Sequence, residues 1–414
     1  MGLWILFIVT CIVLIVLIVV YALQEKKDQN RSIQEKSGKE GLQDLNGAHP
    51  SPQKFLVSLA DITVTQPSLR HWKNILHDHV VGLDNLLHGI CIGLLTGSHV
   101  LIEGVPGLAK TKTVHHVAQL LNAQYKRIQC TPDMLPSDIT GGEIYNPDTK
   151  TFTIIQGPVF ANIVLADEIN RTTPKVQAAL LEAMQEGHVT IAGQTLALPY
   201  PFFVLATQNP IEQEGTYLLP EAQLDRFLCK IHVTYPSIQE EQAMIRAQEQ
   251  SAKSYKTAGS GPSDSDSDSD SESESESESE SKSESKSTTN NDHGALSLLT
   301  LQTLLQAQDE VRRITISDDS VGYIVRLIDA TRKDKKLRLG ASPRASLAIT
   351  MAAKAVAYMQ ERSYVTQDDI QCVAISVLRH RVIPARTLRY QTNDTDTILQ
   401  EILAQVPEIT TAIS

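Results

Sequence analysis

Apolar and polar positions divide the chain before any motif is considered. Residues 3–23 contain no charge, and residues 24–70 are mostly polar. From Trp72 the apolar residues recur at helical spacing, through Ile75 and Leu76, then Leu83, Leu86, Leu87, Ile90, Cys91 and Leu94. Short apolar runs then alternate with helical patterns. The runs at 99–102, 125–128, 163–166, 202–206 and 228–233 read as buried strands, with helices at about 111–122, 174–186 and 220–227. This alternation predicts an α/β core, a parallel sheet with helices on both faces. Segments 139–158 and 188–199 interrupt it in hairpin style, with turns at Asn146-Pro147-Asp148 and Ala192-Gly193. Thr173-Pro174 and Ser342-Pro343 each set a capping residue before a proline at the first helical position.

The pattern stops at about residue 250. Residues 251–294 carry a Ser-Asp and Ser-Glu alternation that cannot bury apolar surface and is expected to be disordered. Residues 295–383 read as an all-helical lid, whose final helix opens on a Thr366/Asp369 capping box. Residues 384–414 read as a tail. The expected order is therefore anchor 1–23, linker 24–70, α/β core 71–250, insertion 251–294, helical lid 295–383 and tail 384–414.

Charge changes the picture only once it is located. Between Ser263 and Ser287 lie ten carboxylates and two lysines, a net −8, which leaves −3 for the rest of a chain whose total is −11. The near-neutral remainder excludes a basic nucleic-acid binder, and no nucleic acid is expected as a partner. As a helix, residues 3–23 would span ~31 Å at ~1.5 Å per residue, the thickness of a hydrocarbon core. Trp4 and Tyr21 flank the span, and Lys26, Lys27, Arg31, Lys36 and Lys39 follow it. That excess of basic residues predicts an uncleaved single-pass membrane anchor with the bulk of the chain in the cytoplasm. A cleaved signal peptide competes, with Val20-Tyr21-Ala22 as its site, but a basic n-region is missing. The five cysteines are scattered and show neither CxxC nor Cys/His ligand spacing, so neither a disulfide framework nor a zinc site is indicated. His71, His77, His79 and His88 read as surface histidines.

Candidate chemistry lies where the apolar runs end. Gly104, Val105, Pro106, Gly107, Leu108, Ala109, Lys110 and Thr111 follow a strand and open a helix, as a Walker A phosphate loop does. Ala109 stands where the strict pattern has glycine. In such a loop the lysine reaches phosphate oxygens and the Thr111 hydroxyl binds magnesium. The run 163–166 ends in Asp167 and Glu168. Asp167 is placed to orient magnesium through water, and Glu168 to polarise an attacking water. Asn209 follows a third buried run and is a candidate to position the same water. Arg226 and Arg344 are candidate cations for the transferring phosphoryl group.

These residues sit in GVPGLAKT, RIQCTPDMLPSDITGGEIY, GPVFANIVLADEINR, QAALLEAMQEGHVTIAG, PFFVLATQNPIEQEGTYLLPEAQLDRF and LGASPRAS. Together with VLRHR, they resemble the MoxR family of AAA+ ATPases, over residues 80–236 and again over 295–383. The resemblance implies Mg2+-dependent ATP hydrolysis. Lys110 and Thr111 would serve as Walker A, Asp167 and Glu168 as Walker B, and Asn209 as sensor 1. Arg226 would be an arginine finger acting across a subunit interface, and Arg344 a sensor 2 carried by a lid that closes on nucleotide. Arg171 would face a neighbouring subunit. The family implies hexameric rings and chaperone-like remodelling of client proteins, often ones with a von Willebrand factor A domain. The anchor and the insertion depart from the family pattern. A nucleotide-dependent scaffold and a metal-insertion motor, as in magnesium chelatase, are the alternative functions.

Overall fold

The computed structural model describes residues 58–79, 83–104, 110–209, 216–235, 237–242, 246, 300–385 and 394–409. The expected anchor at 3–23, most of the linker and the acidic insertion lie outside the described residues. Among the described residues no helix is long and apolar enough to cross a membrane.

Nine strands form in the core: β1 His99–Gly104, β2 Tyr125–Gln129, β3 Gly141–Asn146, β4 Thr151–Gln156, β5 Ile163–Asp167, β6 His188–Ile191, β7 Gln194–Ala197, β8 Phe203–Gln208 and β9 Phe227–Val233. Five make one parallel sheet in the order β2-β5-β8-β1-β9. Its apolar runs are continuous because both faces are covered. Side chains alternate between the faces: Ile163, Leu165, Phe203 and Leu205 enter one hydrophobic cluster, and Val164, Ala166, Val204 and Ala206 the other. β3 pairs with β4 and β6 with β7 as antiparallel hairpins, at the two interruptions read from sequence.

Around the sheet lie α1 Pro67–His79, α2 Asp84–Thr96, α3 Lys110–Leu120, α4 Pro136–Thr140, α5 Pro174–Glu186 and the short α6 Glu221–Leu224. α5 begins as its sequence indicates, with Thr173 extended before Pro174, and ends on Gly187 in the left-handed conformation. α2 lies close against the sheet because it carries glycine at the contact. A Cβ on Gly89 would stand 2.6 Å from Ile231, and one on Gly93 2.6 Å from Val100. α6 stops at Leu224 rather than at 227, because Asp225 and Arg226 form the turn into β9 and Phe227 is already a ladder residue beside His99.

The lid comprises α7 Leu301–Arg313, α8 Asp318–Lys333, α9 Pro343–Met359 and α10 Gln367–Leu378. It departs from the all-helical expectation through a short antiparallel pair, β10 Leu337–Leu339 with β11 Ile383–Pro384. The segment read as a tail contains a further helix, α11 Asp394–Gln405, packed on α8 and α10. Ile398, Leu399, Ile402 and Leu403 are buried there at i, i+4 spacing. Lid and core share one hydrophobic cluster, and α2 is the bridge. The Gln308 amide of α7 donates to the Leu94 carbonyl of α2 at 2.7 Å.

His88 is fully buried, with Nδ1 on the Leu59 carbonyl, so its reading as a surface histidine is corrected. α2 is buried continuously from Leu86 to Leu95, and His88 lies within that stretch. His99 is buried too. Its Nδ1 accepts the Val204 N–H at 3.1 Å, and Nε2 meets the Met184 carbonyl at 3.1 Å. Burial pushes His99 down to about 4, against ~6.5 in an unfolded chain. Between those values the unfolded chain takes up a proton that the folded one does not. The His99 contribution is therefore complete above about pH 6.5 and is lost on acidification, about 2 kcal/mol by pH 5. Burial lowers His88 and His380 in the same direction. Melting temperatures at pH 7 and pH 5 test this: the wild type should fall on acidification, and His99→Gln should fall by less.

Candidate active site

Parallel register brings the carboxyl ends of β1, β5 and β8 to one edge. Glu103 pairs with Gln208 and Gln129 with Asp167, so Gly104, Asp167 and Asn209 meet there. The Walker-type connection runs from Gly104 to α3. Its residues Val105, Pro106, Gly107, Leu108 and Ala109 lie outside the described residues. Gly104 is demanded by packing, since a Cβ would stand 2.5 Å from the Val233 carbonyl oxygen. Lys110, at the start of α3, is buried and donates from Nζ to the Gly104 carbonyl at 2.7 Å. Burial draws its pKa down, and the charges of Asp167 and Glu168 act in opposition. Thr111 follows it, half-buried.

Asp167 is gripped on both oxygens. The Thr207 hydroxyl donates to Oδ1 at 2.6 Å, while Arg127 of β2 donates to Oδ2 from Nη2 at 2.6 Å and Nε at 3.2 Å. The same Thr207 oxygen accepts the Glu168 N–H at 2.8 Å. Glu168 has φ +59°, the left-handed region, at the turn out of β5. Its carboxylate accepts from Arg171 at 2.9 Å and from the Gln129 amide at 3.3 Å. Arg171 is therefore engaged with the carboxylate of its own chain. Asn209 is buried, and its carbonyl accepts from Asn170 at 3.3 Å. Sequence reasoning passed over Arg127, Gln129 and Thr207. Their positions on β2 and β8, in register with β5, were the available signal.

Arg226 and Arg344 are elsewhere. Phe227 pairs with His99 at the amino end of β1, five residues from Gly104, about 16 Å along the strand. Arg226 immediately precedes Phe227 and donates from Nε to Gln185 at 3.0 Å. It borders a cavity of about 630 Å³ that Glu182, Glu186 and His188 also line. Arg344, at the start of α9, lies 3.8 Å from Asp225 and is mostly exposed. In this structure Arg344 stands away from Lys110, Asp167 and Glu168. The cause is the docking of the lid. Buried Arg381 donates to Asp225 Oδ1 at 2.6 Å and to the carbonyls of Leu228 and Phe227 at 2.8 and 2.7 Å. Arg226 and Arg344 thus share the edge opposite Lys110, Asp167 and Glu168.

Residues 99–229 match the ATPase family associated with various cellular activities (AAA), and residues 329–402 match the AAA lid domain. The chain is 42% identical over 313 residues to Chaperone MoxR1 of Mycobacterium tuberculosis, covering 73% of this chain and 72% of that protein. It is also 42% identical over 313 residues to the uncharacterized protein YeaC of Bacillus subtilis, covering 76% and 86%. A crystal structure of a candidate ATPase from Cytophaga hutchinsonii superposes with a TM-score of 0.66 at 36% identity, covering 82% of this chain and 94% of that one. A five-stranded parallel core, a phosphate-loop lysine and a matching lid make this an AAA ATPase, an ATP hydrolase. Within that class the chain belongs to the MoxR family.

Such ATPases bind ATP, typically with Mg2+, and the donor set at the carboxyl edge fits both. Lys110, Arg127 and Arg171 supply three cations against two carboxylates, which favours a polyanion. Thr111 and Asp167 offer the hard oxygens that magnesium and its waters take. Glu168→Gln should keep nucleotide affinity and lose hydrolysis by about 10²-fold or more, read by equilibrium binding and phosphate release. Thr207→Val should cut kcat with little change in KM, because both bonds to the carboxylate pair go. Thr207→Ser should restore most of it; equal loss in both variants would remove the hydroxyl from its assigned role.

Proposed function

We propose that the chain couples ATP hydrolysis to remodelling or maturation of a partner protein, as one subunit of a ring. The ring reading rests on the separation of charges across the sheet. Lys110, Asp167 and Glu168 stand at one edge, and Arg226 and Arg344 at the other. In this reading a subunit binds ATP at its carboxyl edge and lends its arginines to the nucleotide of the next copy. When bound, ATP supplies the transferable phosphoryl group, and magnesium neutralises its charge.

The residues then divide the work. Lys110 draws the phosphates to the start of α3, and Thr111 and Asp167 would hold the magnesium, directly or through its waters. Glu168 accepts a proton from the attacking water, and Asn209 orients that water. Arg226 of one copy and Arg344 beside it stabilise charge on the neighbour's phosphoryl group, a contribution of ~10³–10⁵ in rate for such arginines. Six copies are proposed, after the family pattern. The chaperone role is supported by the likeness to Chaperone MoxR1. A client with a von Willebrand factor A domain is proposed as the partner. The uncharged run 3–23 and the basic residues after it support a membrane anchor with the ATPase module in the cytoplasm.

Two measurements test this. Arg226→Ala and Lys110→Ala should each be inactive alone. Mixed, they should regain hydrolysis, because each Arg226→Ala subunit keeps an intact Walker site that a Lys110→Ala neighbour can complete. Absence of rescue in rings shown by light scattering to be mixed would exclude a shared site. Glu168→Gln held in ATP should retain the client on a column, and release of ATP should elute it.

A further inference from the structure

β2 is the edge strand of the sheet, and β5 is its partner. Arg127 pairs in register with Leu165, so its side chain lies on the face that Asp167 occupies two residues on. Its guanidinium reaches Asp167 with two N–H groups on one oxygen, Oδ2, at 2.6 and 3.2 Å. Oδ1 takes the Thr207 hydroxyl at 2.6 Å. The carboxylate is thus satisfied on both oxygens with no metal taking part. Lys110 adds positive charge nearby, but its ammonium donates to the Gly104 carbonyl and makes no bond to the carboxylate.

The pairing has a consequence for magnesium. The Asp167 side chain is only 15% exposed, and an ionised carboxylate so placed needs a counter-charge. Magnesium keeps several waters when bound through a carboxylate, and such a hydrated ion would need Asp167 lone pairs of the kind that Arg127 occupies. The Arg127 side chain is 45% exposed, and its Nη2 also donates to the Gln129 amide oxygen. A guanidinium close to a divalent cation also repels it.

We infer that Arg127 is the metal-free counter-cation of Asp167, a positioning residue that competes with hydrated magnesium and sets the concentration at which magnesium tightens nucleotide binding. This rests on the reading of Asp167 as the magnesium-orienting carboxylate. Arg127→Gln removes the charge and keeps a polar side chain, while Arg127→Lys keeps the charge. The test measures a fluorescent ATP analogue binding to the full chain, first in EDTA and then across a magnesium titration. The half-saturating magnesium concentration should fall by about three- to tenfold in Arg127→Gln and stay near wild type in Arg127→Lys. A half-saturation point unchanged or raised in Arg127→Gln would overturn the inference and leave the Asp167 reading intact. A merely structural role would weaken binding in EDTA and in magnesium alike, without moving that point, and would overturn it too. Wild-type affinity that ignores magnesium would overturn both.

Discussion

A buried guanidinium fixes how the lid meets the turn before β9, beside the apolar contacts that α2 makes with the lid. Arg381, in the turn after α10, directs its N–H groups to Asp225 Oδ1 and to the carbonyls of Asp225, Phe227, Leu228 and Val377. Burial lowers its pKa, and the hydrogen bond to Asp225 is the largest opposing influence. A planar fork with five donors can satisfy this many acceptors at once, and an ammonium with three cannot. A buried ion pair of this kind is weak evidence of net stability, but breaking it strands a charge and several carbonyls. Its value is positional. It ties the end of the lid to the first residues of β9, and the neighbouring His380 meets the same Phe227 carbonyl at 3.0 Å.

From that docking the polarity of the molecule follows. Parallel strands place every carboxyl end on one side, so Gly104, the carboxylate pair and Asn209 converge there. The turn carrying Asp225 and Arg226 precedes β9 and so falls on the other side. With the lid fastened to that turn, Arg344 lies on that side too, 3.8 Å from the Asp225 that Arg381 also uses. One carboxylate therefore faces both arginines. In the proposed ring, the two unlike edges of neighbouring copies would meet. A monomer with its lid docked in this way would keep its arginines about a strand length from its own phosphates.

Legibility in the sequence follows the range of the interaction. The sheet strands were readable because strands buried on both faces are unbroken apolar runs, and α5 was readable to its ends because Thr173-Pro174 and Gly187 are local signals. The Thr366/Asp369 capping box was local as well, and it forms. The misses are contacts between distant parts of the chain. Nothing near Arg381 announces Asp225, and nothing near Arg127 announces Asp167. The side chosen by Arg344 depends on how two domains pack, which no periodicity encodes. α11 is a different case. Its i, i+4 pattern was present, but the polar residues before it read as the start of a tail. The catalytic candidates were named from motif and resemblance, and register then brought Gly104, Asp167 and Asn209 together, while Arg226 and Arg344 went to the far edge.

Glu168 shows why the carboxylate pair needs a second strand. A non-glycine residue in the left-handed region costs roughly 1–2 kcal/mol, and such a conformation persists only where its surroundings impose it. Two bonds impose it here. The Thr207 hydroxyl accepts the Glu168 N–H, and the Glu168 carbonyl accepts the Arg171 N–H at 2.8 Å, opening the 3-10 turn Ile169–Arg171. Without the turn the chain would continue along the strand, and alternation would send the residue after Asp167 to the opposite face of the sheet. The reversed φ redirects Glu168 so that its carboxylate meets Gln129, which lies in register with Asp167 on the neighbouring strand. Adjacent residues of one strand are thereby brought to a common site. The backbone strain is the local cost of that placement, and Thr207, reaching from β8 to both residues, is what sustains it.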